Sequence, residues 1–232
     1  MSARGKFIAL EGIDGSGKRT QMDLLDRALS ERGIVHMRVS FPQYESFFGR
    51  MVAQFLNGDF GPLDAVDAHF SALLYAGDRL EARPALESAL ASGTWVLADR
   101  YIGSNLAHQT ARLPPEKRGE FLDWLRQLEY KVYALPQEAL VVYLRLPADE
   151  AGLLIERKGA RAYTQLKRDL LEASAAHLEQ AAAVYDLLAQ SPPWVTVECF
   201  DPASRAIRSP EAIHADVLSA VEGRLFGSPA AS

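Results

Sequence analysis

The stretch Leu10-Glu11-Gly12-Ile13-Asp14-Gly15-Ser16-Gly17-Lys18-Arg19-Thr20-Gln21 decides the fold. A short apolar run from Phe7 leads into it. Behind it Met22, Leu24, Leu25, Ala28 and Leu29 recur at helical spacing to about Arg32, where Gly33 supplies a stop. A buried strand, a glycine-rich turn and a helix thus follow one another. Glycines let the backbone turn tightly, so successive N–H groups can point inward at the oxygens of an anion. The helix that begins at Lys18 adds the positive end of its dipole, and the Lys18 ammonium can reach outer phosphates as a mobile point charge.

The spacing GxxxxGK in this context is that of a P-loop, so Gly12, Gly15, Ser16, Gly17, Lys18, Arg19 and Thr20 are expected to surround ATP. The usual next residue is Ser or Thr, whose hydroxyl ligates magnesium. Here it is Arg19, and the hydroxyl of Thr20 comes one position later, turned about 100° around the helix. Mg²⁺ must therefore find other ligands. The loop alone does not choose between a kinase and a regulatory NTPase.

Working outward, further strands are expected at Ile34 to Val39, Thr94 to Ala98, Leu140 to Leu146 and Val195 to Phe200. Helical periodicity runs over Phe47 to Leu56, Asp64 to about Ser92 with Pro84 inside it, Glu116 to Lys131, Ala148 to Glu156, Asp169 to Gln190 and Pro210 to Leu225. Strands alternating with helices predict an α/β fold: a P-loop NTPase fold with a five-stranded parallel sheet flanked by helices. Residues 1–226 read as one domain and 227–232 as a disordered tail.

The chain has 232 residues and a formal net charge of −5, which argues against a protein that coats nucleic acid or an anionic membrane. Its single cysteine, Cys199, cannot form an internal disulfide and reads as a small buried hydrophobe in a reducing compartment. The apolar run after Arg4 and Lys6 stops at Glu11, too short for a signal sequence or a bilayer span, so a cytoplasmic protein is expected.

Asp99-Arg100-Tyr101-Ile102-Gly103-Ser104-Asn105 lies at the C-terminal end of an expected buried strand, where open α/β sheets bind ligands. Asp99 is placed to hold Mg²⁺, directly or through water, and Arg100 to bridge the transferring phosphates. Asp14 has two readings, a turn-former bonding its own backbone or an acid facing the acceptor's sugar.

Glu11 to Gln21, Phe41-Pro42, Leu74 to Arg79 and Asp99 to Gln109 together resemble the motifs of thymidylate kinases, in order and in spacing. The resemblance runs from about residue 6 to 190. It implies transfer of the ATP γ-phosphoryl group to dTMP, giving dTDP and ADP, by a Mg²⁺-dependent homodimer. It implies that Phe41 and Pro42 wall the nucleobase pocket, that Tyr44 closes it and that Tyr75 stacks on the pyrimidine. Arg79 bonds a base carbonyl, Ser104 and Asn105 read the pyrimidine edge, Arg100 holds the acceptor phosphate and Asp14 approaches the 3′-hydroxyl. His108 stands where the family commonly has Phe or Tyr and is read as structural. Arg19 occurs in some other members.

Arg157-Lys158-Gly159-Ala160-Arg161 with Lys167-Arg168 matches the mobile lid, residues 157–168. Some members carry a catalytic arginine in the phosphate loop and others in the lid. Gly15 stands where the first group has Arg, so the resemblance assigns the charge to Arg161 or Arg157. The competing readings are a P-loop kinase for another nucleotide acceptor, and an ATP-binding regulatory protein without transfer.

Overall fold

The computed structural model describes residues 4–156, 171 and 175–226. The lid residues Arg157 and Arg161 and the tail from 227 lie outside them.

The apolar run becomes β1 (Phe7–Glu11), buried at all five positions, as a strand covered on both faces must be. It is the centre of a parallel sheet with β2 (His36–Ser40), β3 (Trp95–Asp99), β4 (Leu140–Arg145) and β5 (Trp194–Glu198), in the order β2-β3-β1-β4-β5. The register aligns the C-terminal ends: Leu10 lies beside Asp99 and Val142, and Ser40 beside Asp99. The connections leaving the neighbours β1 and β4 run to opposite sides of the sheet, which opens a crevice over those ends.

Helices α1 (Lys18–Glu31), α2 (Phe47–Asn57), α3 (Ala68–Ala91), α4 (Ile102–Thr110), α5 (Pro115–Arg126), α6 (Ala148–Glu156), α7 (Ala175–Leu188) and α8 (Pro210–Val221) flank the sheet. Helix α1 packs with α8, while α4 packs against α3, α5 and α7. The main core lies around β1, β3 and β4. A second cluster of Val52, Phe55, Leu56, Val66, Leu74 and Leu171 fills the space beside α2 and α3.

Three elements differ from the sequence expectations. Helix α3 runs unbroken past Pro84 but starts at Ala68 rather than Asp64, because Asp67 caps it through the His69 and Phe70 N–H groups. The fifth strand ends at Glu198, and Phe200–Asp201 pairs instead with Ala206–Ile207 in a small antiparallel ribbon (β6, β7). Helix α4 was not expected. It spans only nine residues, almost all of them buried, and its Gly103, Ser104, Asn105 and Thr110 are weak helix formers, so neither length nor propensity betrays it.

Helix α5 continues into a π-helical turn over Gln127–Val132 that aims Glu129 into the interior. Cys199 is buried and its thiol is pushed up to about 12 by that burial, as expected of an inert hydrophobe.

Glu138, buried just before β4, accepts a hydrogen bond from the Tyr130 hydroxyl at 2.8 Å. Desolvation raises its carboxyl from 4.5 to about 7. The folded state therefore holds a proton that the unfolded chain releases above about pH 4.5. The associated stability is complete below pH 4.5 and is lost as pH rises through about 7. Glu138→Gln keeps the acceptor and removes the ionisation. Denaturant titrations should find the variant and the parent alike near pH 4.5, with the variant more stable by up to about 3 kcal/mol above pH 7. A pH-independent difference would refute this.

Candidate active site

The phosphate loop is built by glycines that only glycine can replace. Gly12 has φ 144°, and a Cβ there would lie 2.6 Å from the Leu144 carbonyl oxygen. Gly15 has φ 87°, and its Cβ would lie 2.7 Å from the Ala151 oxygen in α6. Gly17, also left-handed, occupies the N-cap of α1, so the first N–H groups of the helix have no side-chain cap. They are available to an anion. The buried Ser16 hydroxyl has no partner, consistent with a loop shaped for a polar ligand. Arg19 and Thr20 are exposed on the first turn of α1.

Lys18 folds back so that its ammonium donates to the Gly12 and Ile13 carbonyls, at 2.9 Å each. Burial, and then the nearby Arg100 guanidinium, lower its pKa to about 8. An arriving polyphosphate would reverse that shift by supplying negative charge.

Arg100 follows β3 with φ 66°, unusual for a side-chain-bearing residue. Its N–H bonds the Leu10 carbonyl, and its guanidinium donates to Asp14 at 2.8 Å, Ser104 Oγ at 2.9 Å and the Gly12 carbonyl at 3.2 Å. The two chain segments are tied by Glu11. Its buried carboxylate accepts from the N–H groups of Tyr101 (2.7 Å) and Ser104 (3.0 Å) and from the Ser104 (2.6 Å) and Tyr185 (2.9 Å) hydroxyls. Glu11 thus caps α4 from the neighbouring strand. An acid ending an apolar strand that must be buried was the sequence signal for this role.

Above the loop lies a partly open cleft whose walls combine aromatic rings with a few polar side chains, the mix usual in small-molecule sites. Every acceptor-side residue named from the sequence lines it: Asp14, Phe41, Tyr44, Tyr75, Arg79, Arg100, Ser104 and Asn105. Phe41 packs its ring against Tyr101, and Tyr75 meets Phe55 edge-on. The segment carrying Tyr44 is held by Asp78, which accepts from Gln43 N–H and the Ser46 hydroxyl. Ser104 has its hydroxyl committed to Glu11, Arg100 and Tyr185.

Arg79 is 1% exposed. Its partner is neither Asp78 nor Glu81 but Glu129, which takes Nε and Nη2 at 2.6 Å each. Asn105 donates Nδ2 to Glu129 (2.8 Å) and to the Ala72 carbonyl (3.0 Å), which leaves its buried Oδ1 without a partner. Both residues line the cleft, so the guanidinium N–H groups that Glu129 does not take are left as donors and Asn105 Oδ1 as an acceptor. Glu129, in a π-helical turn, carried no local sequence signal.

Asp99 ends β3 at the same edge as Lys18, to which it contributes attraction. Among the described residues no group of three or more His, Cys, Asp or Glu could hold a metal ion. Mg²⁺ commonly takes one or two carboxylates, with phosphate oxygens and waters completing its shell, and Asp99 fits that lesser role.

A parallel sheet with a phosphate loop, next to a cleft with two arginines and an amide, defines a P-loop nucleotide-binding protein with room for a second, polar ligand. Known proteins narrow the class. The thymidylate kinase family model matches residues 10–205. A thymidylate kinase of Mycobacterium tuberculosis is 34% identical over 186 residues, 79% of this chain and 85% of that protein. A probable thymidylate kinase of Pyrococcus abyssi is 32% identical over 226 residues, covering 97% of this chain and 99% of its own. A solved thymidylate kinase from Candida albicans superposes with a TM-score of 0.73 at 21% identity, covering 96% and 93% of the two chains, and so shares the fold. The chain belongs to the thymidylate kinase family.

Proposed function

We propose that the chain transfers the γ-phosphoryl group of ATP to dTMP, giving dTDP and ADP. One observation carries the choice of acceptor. The donor on Arg79 and the acceptor on Asn105 complement the O4 carbonyl and N3–H of thymine. Cytosine presents an amino group and a bare nitrogen at those positions, the reverse pattern. Tyr75 and Phe41 bracket the base, Tyr44 closes the pocket, Ser104 borders the pyrimidine edge and Asp14 takes the 3′-hydroxyl.

Arg100 holds the acceptor phosphate, while Lys18 and the N–H groups of the loop, from Gly12 through Thr20, hold ATP. Arg161 or Arg157 adds lid charge, and Asp99 would hold Mg²⁺ directly or through water, where the ion would supply further positive charge to the ATP phosphates. The acceptor is already an ionised phosphate, so no strong base is required; positioning and charge neutralisation supply the rate. The family resemblance supports a homodimer in the cytoplasm. No helix among the described residues is long and apolar enough to cross a membrane. The net charge of −5 supports small nucleotides rather than nucleic acid or membrane as partners.

An ADP-release assay with dTMP, dUMP, dCMP and dGMP tests the acceptor. dTMP should lead. dUMP, lacking one methyl group, should fall about tenfold in kcat/KM, and dCMP, which mispairs with buried polar groups, by about a hundredfold or more. Equal rates with dCMP and dTMP would contradict the assignment of Arg79 and Asn105.

A further inference from the structure

Behind Arg100 two buried histidines from different helices meet, His108 of α4 and His177 of α7. Arg100 Nη1 lies 3.4 Å from His108 Nε2, and His108 Nδ1 lies 3.3 Å from His177 Nε2. The two rings lie 5.6 Å apart and tilt by 31°, and the His108 ring stands edge-on to Tyr185. His108 borders the acceptor cleft. His177 borders a separate hollow with Arg112, Asp64 and Asp67.

A guanidinium only donates, so His108 Nε2 must be the bare nitrogen. The His108 proton then sits on Nδ1 and points at His177, whose Nε2 must in turn accept. One donor thus fixes both tautomers, provided both rings are neutral. The described charged groups around them favour neutrality. Burial, and then Arg100, push His108 well below its usual value, with His177 and Lys18 adding to the depression and Asp14 opposing it. Burial and Arg112 bring His177 down to about 4, again with Asp14 opposing.

We propose that His177 is a positioning residue: by accepting the His108 Nδ1 proton it holds His108 in the tautomer that accepts from Arg100, and so keeps Arg100 aimed for the acceptor phosphate. The two neutral tautomers of imidazole lie close in free energy in water, so the partner of one nitrogen selects the state of the other. Without His177 the His108 proton can move to Nε2. Two donors would then face each other, and the guanidinium would swing from the line set by Asp14, Ser104 and Gly12. The proposal rests on the assignment of Arg100 to the acceptor phosphate.

Two experiments separate the proposal from that assignment. Long-range ¹H–¹⁵N correlation spectra of the ¹⁵N-histidine-labelled protein read the tautomers directly. His108 and His177 should each show a protonated Nδ1 and a bare Nε2 at pH 7, and a protonated Nε2 on His108 would overturn the pair. Kinetics supply the second arm. His177→Ala should raise the KM for dTMP about tenfold, the scale on which partners behind a liganding side chain act, with the KM for ATP unchanged. His177→Gln, whose carbonyl oxygen can still accept from His108, should return the dTMP KM to within about twofold of the parent. Equal losses in both variants, or equal shifts for both substrates, would mean packing alone and overturn the positioning role. An Arg100→Ala variant with an unchanged dTMP KM would overturn the role of Arg100, and positioning with it, whatever tautomers the spectrum reports.

Discussion

Lys18→Ala lowers dTMP-dependent turnover by about a thousandfold, the scale expected when one preorganised group facing developing charge is removed. The folded state tolerates the change. The ammonium sits buried beside the Arg100 guanidinium, a repulsion that its removal relieves. What is lost in the free protein is two hydrogen bonds to loop carbonyls and the attraction of Asp14, Asp99 and Glu11, which offsets part of that relief. With ATP present the ammonium would turn from those carbonyls to the outer phosphates. Rapid-quench turnover together with a thermal melt checks both halves. Unimpaired turnover would remove the phosphate loop from the reaction.

The second large effect is at Arg79. Arg79→Ala leaves the Glu129 carboxylate buried and without its ion-pair partner, which costs about 3–5 kcal/mol of stability. It also removes the donor proposed for the base carbonyl, so the dTMP KM should rise by more than tenfold while the ATP KM moves less than about twofold. The two consequences can be separated. Arg79→Met combined with Glu129→Leu removes both charges, and apolar replacement of a buried pair is often neutral for stability. The double variant should therefore recover the melting temperature but not dTMP affinity. Equal effects of Arg79→Ala on both substrates would place Arg79 in the scaffold rather than at the base.

The elements that the sequence made legible were those with a strong local signature. β1 announced itself as an unbroken apolar run ending in glycines, and its bounds, Phe7–Glu11, are those expected. The phosphate loop was legible because its glycines serve backbone geometry, which the sequence records directly. Arg100 was legible from its place at the end of β3, and Asp14 had two open readings, but the other cleft residues were legible only through family resemblance. Nothing in the local pattern brings Asp14, Tyr75 and Asn105 together, since they sit on a loop and two helices.

What stayed hidden was non-local or irregular. Helix α4 is short and carries weak helix formers, and its polar Asn105, His108 and Gln109 are buried rather than exposed, so a reading by polarity misses it. Glu129 reaches Arg79 across fifty residues of chain from a π-helical turn. Arg100 takes a left-handed conformation that its neighbours in sequence do not foretell. His108, read alone, is a structural histidine; beside His177 it gains a direction and a partner.

The central claim is that this cleft accepts a pyrimidine monophosphate in line with ATP. Its most direct test is ³¹P NMR of the purified protein with ATP, Mg²⁺ and dTMP. ADP and dTDP should appear together in equal amounts, and neither should form without dTMP. Release of ADP and inorganic phosphate without dTDP, or no turnover with dTMP, would contradict it.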